Sequence, residues 1–219
     1  MSHMNQTYPM DPTYFATSRF QNQFIDNDFF YCADGDGVYT NHHCKETFLL
    51  SKPFLKSDGF AIDIGCRDGE YTRYLTSIYE KTYCFDPRIM QRFADNVDLN
   101  KILHFGCALG EQRKKIVMSG GQHKLDFLRM KEYPCFTLDD FQLSDISYIK
   151  IDVEGYETRV LKGAIKTISK YKPLIVIEQN DITLAGESKF EAKKYLEALG
   201  YNTVATCARG WDQVMIASK

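Results

Sequence analysis

The stretch "AIDIGCRDGEYT", Ala61–Thr72, decides how the rest of the chain is read. An apolar run carries an acid, Asp63, breaks at Gly65, and passes through Cys66, Arg67 and Asp68 to a second glycine, Gly69. From Glu70 onward the pattern turns helical. Strand, glycine turn and helix form the layout of a nucleotide-type pocket, because glycine admits positive φ and lets backbone approach a ligand closely. The spacing here is Asp63-x-Gly65-x-x-x-Gly69. It departs from G-x-G-x-x-G, which cradles a pyrophosphate at a helix N-terminus. A nicotinamide-dependent oxidoreductase is disfavoured on that ground. A tight βα turn without any ligand is the bland alternative.

Working outward, strand-like runs occupy 60–64, 82–86, 101–105, 146–151, 173–178, 201–207 and 211–217, with helix-like segments near 70–80, 88–97, 156–170 and 187–199. In the third of these, Val160, Leu161, Ala164, Ile165 and Ile168 share one face at a period of 3.6. Strands alternating with helices predict a parallel sheet covered on both faces. The last two runs are separated only by Ala208-Arg209-Gly210 and must form an antiparallel hairpin. A seven-stranded, mostly parallel α/β sheet with an antiparallel last strand is the three-layer, Rossmann-like architecture of class I methyltransferases. Residues 58–219 would form this domain, and 1–57 an aromatic segment before it that caps the site, packs, or makes a homodimer contact.

The second strand ends at Asp86-Pro87, about 20 residues past the glycine turn, where an acid can accept hydrogen bonds from both hydroxyls of a ribose. After the third strand comes "HFGCALG" (104–110), whose small residues, Cys107 and Ala108 among them, suit the face of an adenine or simply make a tight loop.

Composition narrows the class. The chain has 219 residues, 44% hydrophobic and 26% charged, which suits one soluble domain with a sizeable core. No apolar run is long enough to span a bilayer. Seven scattered cysteines without a C-x-x-C pair argue against a zinc ribbon or a thioredoxin-type site and point to a reducing cytoplasm. A net charge of −2 lacks the basic surplus of nucleic-acid binders. Met1-Ser2-His3 reads as a tag remnant. His42-His43-Cys44 has no second ligand cluster at zinc spacing, and "DGDG" (34–37) reads as a turn because Lys45 replaces the bidentate glutamate of a calcium loop. No metal ligand is therefore assigned.

From about Gly37 onward the sequence resembles the FkbM family of S-adenosylmethionine-dependent methyltransferases. The resemblance is carried by "AIDIGCRDGEYT", "CFDP" (84–87), "CALG" (107–110), "TLDDF" (137–141), "YIKIDVEGYETRVLKGA" (148–164) and "PLIVIE" (173–178). The family's glycine loop commonly reads Gly-Ala-Asn-x-Gly, against Gly65-Cys66-Arg67-Asp68-Gly69 here, and its second strand commonly ends Glu-Pro, against Asp86-Pro87. The resemblance implies S-adenosylmethionine as cofactor and S-adenosylhomocysteine as product. It implies a cofactor site of Asp63, Gly65, Cys66, Arg67, Gly69, Tyr71, Thr72, Asp86, Pro87, Cys107, Ala108 and Asp152. It also implies O-methylation of a small-molecule or carbohydrate acceptor.

A hydroxyl acceptor needs a general base or a metal. Lys150, Asp152, Glu154 and Glu157 lie where the fourth strand ends, and Lys150 and Asp152 point the same way by strand alternation. Asp152 is the candidate base, with Glu154 beside it and Glu178, at the end of the fifth strand, the third catalytic candidate. Such carboxylates could raise one another's pKa or hold a divalent cation. Glu154 has a structural alternative, binding backbone amides at the start of the next helix. Two rival functions stand beside this reading. One is a protein that keeps the fold and binds the cofactor without catalysis. The other is an RNA 2′-O-methyltransferase, disfavoured because Glu178 stands where its lysine would be.

Overall fold

The computed structural model describes residues 29–31, 38–40, 42–88, 92–119, 130–179, 188 and 190–218. A short hairpin, β1 (Phe29–Tyr31) and β2 (Val38–Thr40), and a helix, α1 (His42–Ser51), precede the alternating part. There follow β3 (Phe60–Ile64), α2 (Thr72–Ile78), β4 (Thr82–Phe85), α3 (Phe93–Asn96) and β5 (Ile102–Phe105). Next come three strands, β6 (Ala108–Leu109), β7 (Lys114–Ser119) and β8 (Met130–Phe136). The chain closes with β9 (Ile146–Ile151), α4 (Glu157–Lys162), α5 (Ile165–Tyr171), β10 (Leu174–Glu178), α6 (Glu191–Ala198), β11 (Tyr201–Thr206) and β12 (Asp212–Ala217).

The main sheet has seven strands in the order β11-β12-β10-β9-β3-β4-β5. The five strands from β10 to β5 run parallel, while β12, inserted between β10 and β11, is antiparallel to both. Every residue of β9 and β10 is buried, because helices cover both faces. On one face Ile62, Ile149, Ile151 and Ile177 pack with Val160, Leu161, Ile168 and Leu196 of α4–α6. On the other, Ala61, Tyr148 and Val176 meet Tyr74 and Leu75 of α2 and Cys44 and Phe48 of α1. Each fully buried isoleucine contributes about 1.5–3 kcal/mol of transfer free energy, so these two layers dominate the stability. α1 is tied to the sheet by a hydrogen bond as well, Thr47 Oγ1 donating to Asp212 Oδ2 at 2.6 Å.

Two features differ from the pattern the sequence predicts. The single helix expected over 156–170 is two, broken at Gly163–Ala164. A Cβ at Gly163 would stand 1.9 Å from the Gly110 carbonyl oxygen, so the helix bends away where two backbones cross. The Asp139 carboxylate then starts α5 afresh, accepting from the amides of Lys166 and Thr167, both at 2.9 Å, and from the Thr167 hydroxyl. The second difference is the separate three-stranded sheet, in order β6-β8-β7, in a stretch where the sequence reading assigns no strand. "DGDG" (34–37) and the side chains of His42 and His43 lie outside the described residues.

Candidate active site

The parallel strands end at one edge of the sheet, where ligands bind in open α/β folds. β3 leaves the sheet there through Gly65, at φ +85°. A Cβ on Gly65 would lie 1.8 Å from the carbonyl oxygen of Asp152, so glycine is required by the neighbouring loop itself. The Asp152 amide donates to the Ile64 carbonyl at 2.9 Å, which holds the glycine turn against the end of β9. Gly69, at φ +84°, likewise passes within 2.6 Å of Val97 Cγ1, measured from the Cβ it lacks.

Besides Asp68 within it, Asp63, Asp86 and Glu70 flank this turn. Asp63 is buried and accepts from Thr72 Oγ1 at 2.5 Å; burial pushes its carboxyl up to about 6. Asp86 accepts the Arg67 amide at 3.1 Å on one oxygen and the Arg88 amide at 2.8 Å on the other. Burial raises the Asp86 pKa, and Arg88 together with the two amides opposes the rise. Arg67 reaches Asp86 by adopting a left-handed backbone, φ +43°. Glu70, just past Gly69, has Arg67 Nη1 at 3.9 Å, and desolvation pushes it up to about 7.

The remaining expected cofactor residues divide. Pro87 and Ala108 are half-buried at the strand ends. Cys66 turns inward, its sulfur 3.4 Å from His104 Nε2, and Cys107 is buried in the main core. Tyr71 points into the core beneath the site, its hydroxyl 2.5 Å from that of Tyr148.

Asp152, Glu154 and Glu178 come together, each offering an oxygen within 4.8 Å of the other two. Glu154 turns the chain at φ +55° and Gly155 continues it at +91°. The amides exposed by that turn, Val153 and Gly155, donate to Glu157 Oε1 at 3.0 and 3.1 Å. Glu157 thus binds backbone amides at the start of α4, the kind of role given above as the structural alternative for Glu154. Behind the acids lies Lys150, 2% exposed, its ammonium 3.4 Å from Asp152 Oδ2 and 3.2 Å from Asp212 Oδ1. Burial, and the charge of Asp152 next to it, push the Glu178 carboxyl well above the usual carboxylate range and favour its protonated form. Three carboxyl groups sharing an edge with one fixed ammonium can accept a proton from a hydroxyl, orient it, or hold a divalent cation. The ammonium already supplies part of the positive charge that such a cluster calls for.

The FkbM methyltransferase domain profile matches residues 63–203. The chain belongs to the FkbM methyltransferase family. A crystal structure of the FkbM methyltransferase from Methylobacillus flagellatus KT superposes with a TM-score of 0.56 at 18% identity, covering 89% of this chain and 50% of that one. The chain thus spans about half the length of that protein. The precorrin 8w decarboxylase of Methanobacterium thermoautotrophicum superposes with a TM-score of 0.52 at 15% identity, over 86% of this chain and 97% of that one. At these identities the likeness is one of fold. No curated protein matches in sequence.

Within the FkbM domain, much of the recurrent sequence is architectural. In "TLDDF", Thr137 and Asp140 form a reciprocal capping box and Asp139 starts α5. In "VLKGA", Gly163 permits the crossing over Gly110. Site residues that the sequence alone did not single out are Glu70 and Asp212. Glu70 stood in the opening stretch beside a glycine and was available to reading; Asp212 is 62 residues from Lys150 and was not.

Proposed function

We propose that this FkbM domain is an S-adenosylmethionine-dependent O-methyltransferase acting on a hydroxyl of a sugar, glycan or small metabolite. The observation carrying this reading is the convergence of Asp152, Glu154 and Glu178 within 4.8 Å, beside a glycine turn locked to Asp152. The donor set suits the cofactor. Asp63 and Glu70 offer carboxylates to an ammonium group. Asp86 uses one acceptor site on each oxygen for a backbone amide and keeps others for ribose hydroxyls.

When bound, S-adenosylmethionine supplies a methyl carbon activated by its sulfonium. Asp152 would take the proton of the acceptor hydroxyl, while the cofactor would give up its methyl group with loss of the carbon–sulfur bond and leave as S-adenosylhomocysteine. Lys150 fixes the Asp152 carboxylate through a bond to Oδ2, and Glu178 holds its own proton toward Asp152. Glu154, at the mouth of the cluster, orients the hydroxyl. Holding two reactants in line is itself worth several kcal/mol of barrier. The site is read as carbohydrate- or metabolite-directed because a net charge of −2 lacks the basic surplus that a nucleic-acid acceptor calls for.

Thermal unfolding with S-adenosylmethionine, S-adenosylhomocysteine and NAD in parallel tests the cofactor. At 100 times its dissociation constant a ligand adds about 2.7 kcal/mol. For this chain length that raises the midpoint by roughly 5–10 °C. A rise with both adenosyl ligands and none with NAD is expected; no rise with either overturns the assignment. Asp152→Asn should then keep cofactor affinity and lose methyl transfer by roughly 100-fold or more. Equal activity would remove Asp152 from the chemistry.

A further inference from the structure

Outside the carboxylate cluster, two cations converge on one phenol. Tyr156 directly follows the Glu154–Gly155 turn and is half-buried. The Arg159 guanidinium lies 4.9 Å from its ring centroid and donates from Nη1 to its hydroxyl at 3.4 Å. Lys114, on β7, lies 5.6 Å from the same centroid, and the Tyr156 hydroxyl beside it raises its pKa against the opposing charge of Arg159. Among the described residues no ion pair involves Lys114.

The position is fixed rather than accidental. Tyr156 packs against Gly110, where a Cβ would stand 3.1 Å from its ring, and Lys114 sits opposite Cys135 in the β7–β8 ladder. Two half-buried cations thus lie against one phenol, and Arg159 donates to its oxygen. The Tyr156 hydroxyl keeps its own hydrogen to donate. Two positive groups, one on β7 and one on α4, beside a hydroxyl donor at the start of α4, make the complement of a tetrahedral or planar oxyanion.

We propose that Lys114, Arg159 and the Tyr156 hydroxyl form a binding site for an oxyanion of phosphate type. Resting on the methyltransferase reading above, this site takes the phosphate carried by the acceptor, so that the acceptor is a phosphorylated sugar or metabolite rather than a neutral one.

Isothermal titration with a hexose 6-phosphate, the neutral hexose and inorganic phosphate tests this on the full chain. Binding of the hexose phosphate is expected, at least tenfold tighter than the neutral hexose. Lys114→Met and Arg159→Met should each weaken it five- to tenfold, while Lys115→Met, which removes an exposed cation paired with Glu132, should not. Tyr156→Phe keeps the ring and should weaken binding less than either cation's removal. Equal affinity for inorganic phosphate and the hexose phosphate keeps the oxyanion site and removes its link to the acceptor. Phosphate and hexose phosphate that both fail to bind, or that weaken as much in Lys115→Met as in Lys114→Met, overturn the site. S-adenosylhomocysteine titrated into the same variants separates the two readings. Its unchanged binding in Lys114→Met is expected, and its failure to bind wild-type protein sinks the methyltransferase reading without touching the anion result.

Discussion

Replacing Lys150 by methionine isolates the electrostatics beneath the reacting edge. The lysine is 2% exposed and its ammonium bridges Asp152 and Asp212, the latter equally buried. Methionine fills most of the volume, so the change removes the charge and leaves the packing. Breaking a buried ion pair by deleting one partner costs about 3–5 kcal/mol, because the other charge remains in a poor solvent. For a chain of this length, that lowers the melting midpoint by about 6–20 °C. The pH dependence carries the diagnostic sign. Without the ammonium, burial holds the folded-state pKa of Asp212 in the variant above its unfolded value. The variant's stability is then fully present below the unfolded pKa, near 4, and falls as pH rises through the folded one. Thermal melts at pH 4.5, 6 and 7.5 should therefore show the gap to wild type widening with pH. Adding Asp212→Asn should recover more than half of the loss. A single-variant cost below about 1 kcal/mol, or a double variant no more stable than the single one, would refute this account of Lys150.

Three further expectations concern the turn and its surroundings. Burial pushes Asp63 up to about 6, so its ionisation opposes folding by about 3 kcal/mol as pH rises from 4 to 6; Asp63→Asn should flatten the urea-stability profile in that window. Glu70, held near 7, must shed its proton to meet the cofactor's ammonium, so S-adenosylhomocysteine should bind roughly five- to tenfold tighter at pH 8 than at pH 6, with proton release by calorimetry and a flat profile in Glu70→Gln. Asp139→Ala removes the start of α5 and should cost about 1–2 kcal/mol in urea unfolding with no change in cofactor affinity; an affinity loss would show that this residue reaches the site.

Legibility followed period and turn chemistry. The seven main strands were readable because buried parallel strands are short continuous apolar runs, and the terminal hairpin because only Ala208-Arg209-Gly210 part its two strand-like runs. The small sheet was not. β7 reads "KKIVMS" and β8 "MKEYPCF", with charges and a proline where a strand signal is sought. Pro134 is tolerated because β6 pairs only with Cys135 and Phe136, leaving β8 at Pro134 with a described neighbour on one side alone. Within the site, strand alternation showed that Lys150 and Asp152 share a face. It did not show what Lys150 bonds to across the sheet, since register with β12 depends on tertiary pairing. The glycine turn was legible as a turn, yet the atom that excludes a side chain at Gly65 is the carbonyl of Asp152, which no local pattern reveals.

The hydrogen bond from Thr47 to Asp212 has a practical bearing on where this protein is cut. Both residues fall outside the 63–203 span that marks the FkbM domain, one before it and one after. A fragment trimmed to those limits would discard Asp212, and with it one of the two carboxylates that secure Lys150 behind Asp152. Such a fragment would keep the glycine turn and most of the family's recurrent residues while losing the anchor of its reacting edge. Expression boundaries for functional work should enclose α1 and β12 together, from before His42 to beyond Ala217.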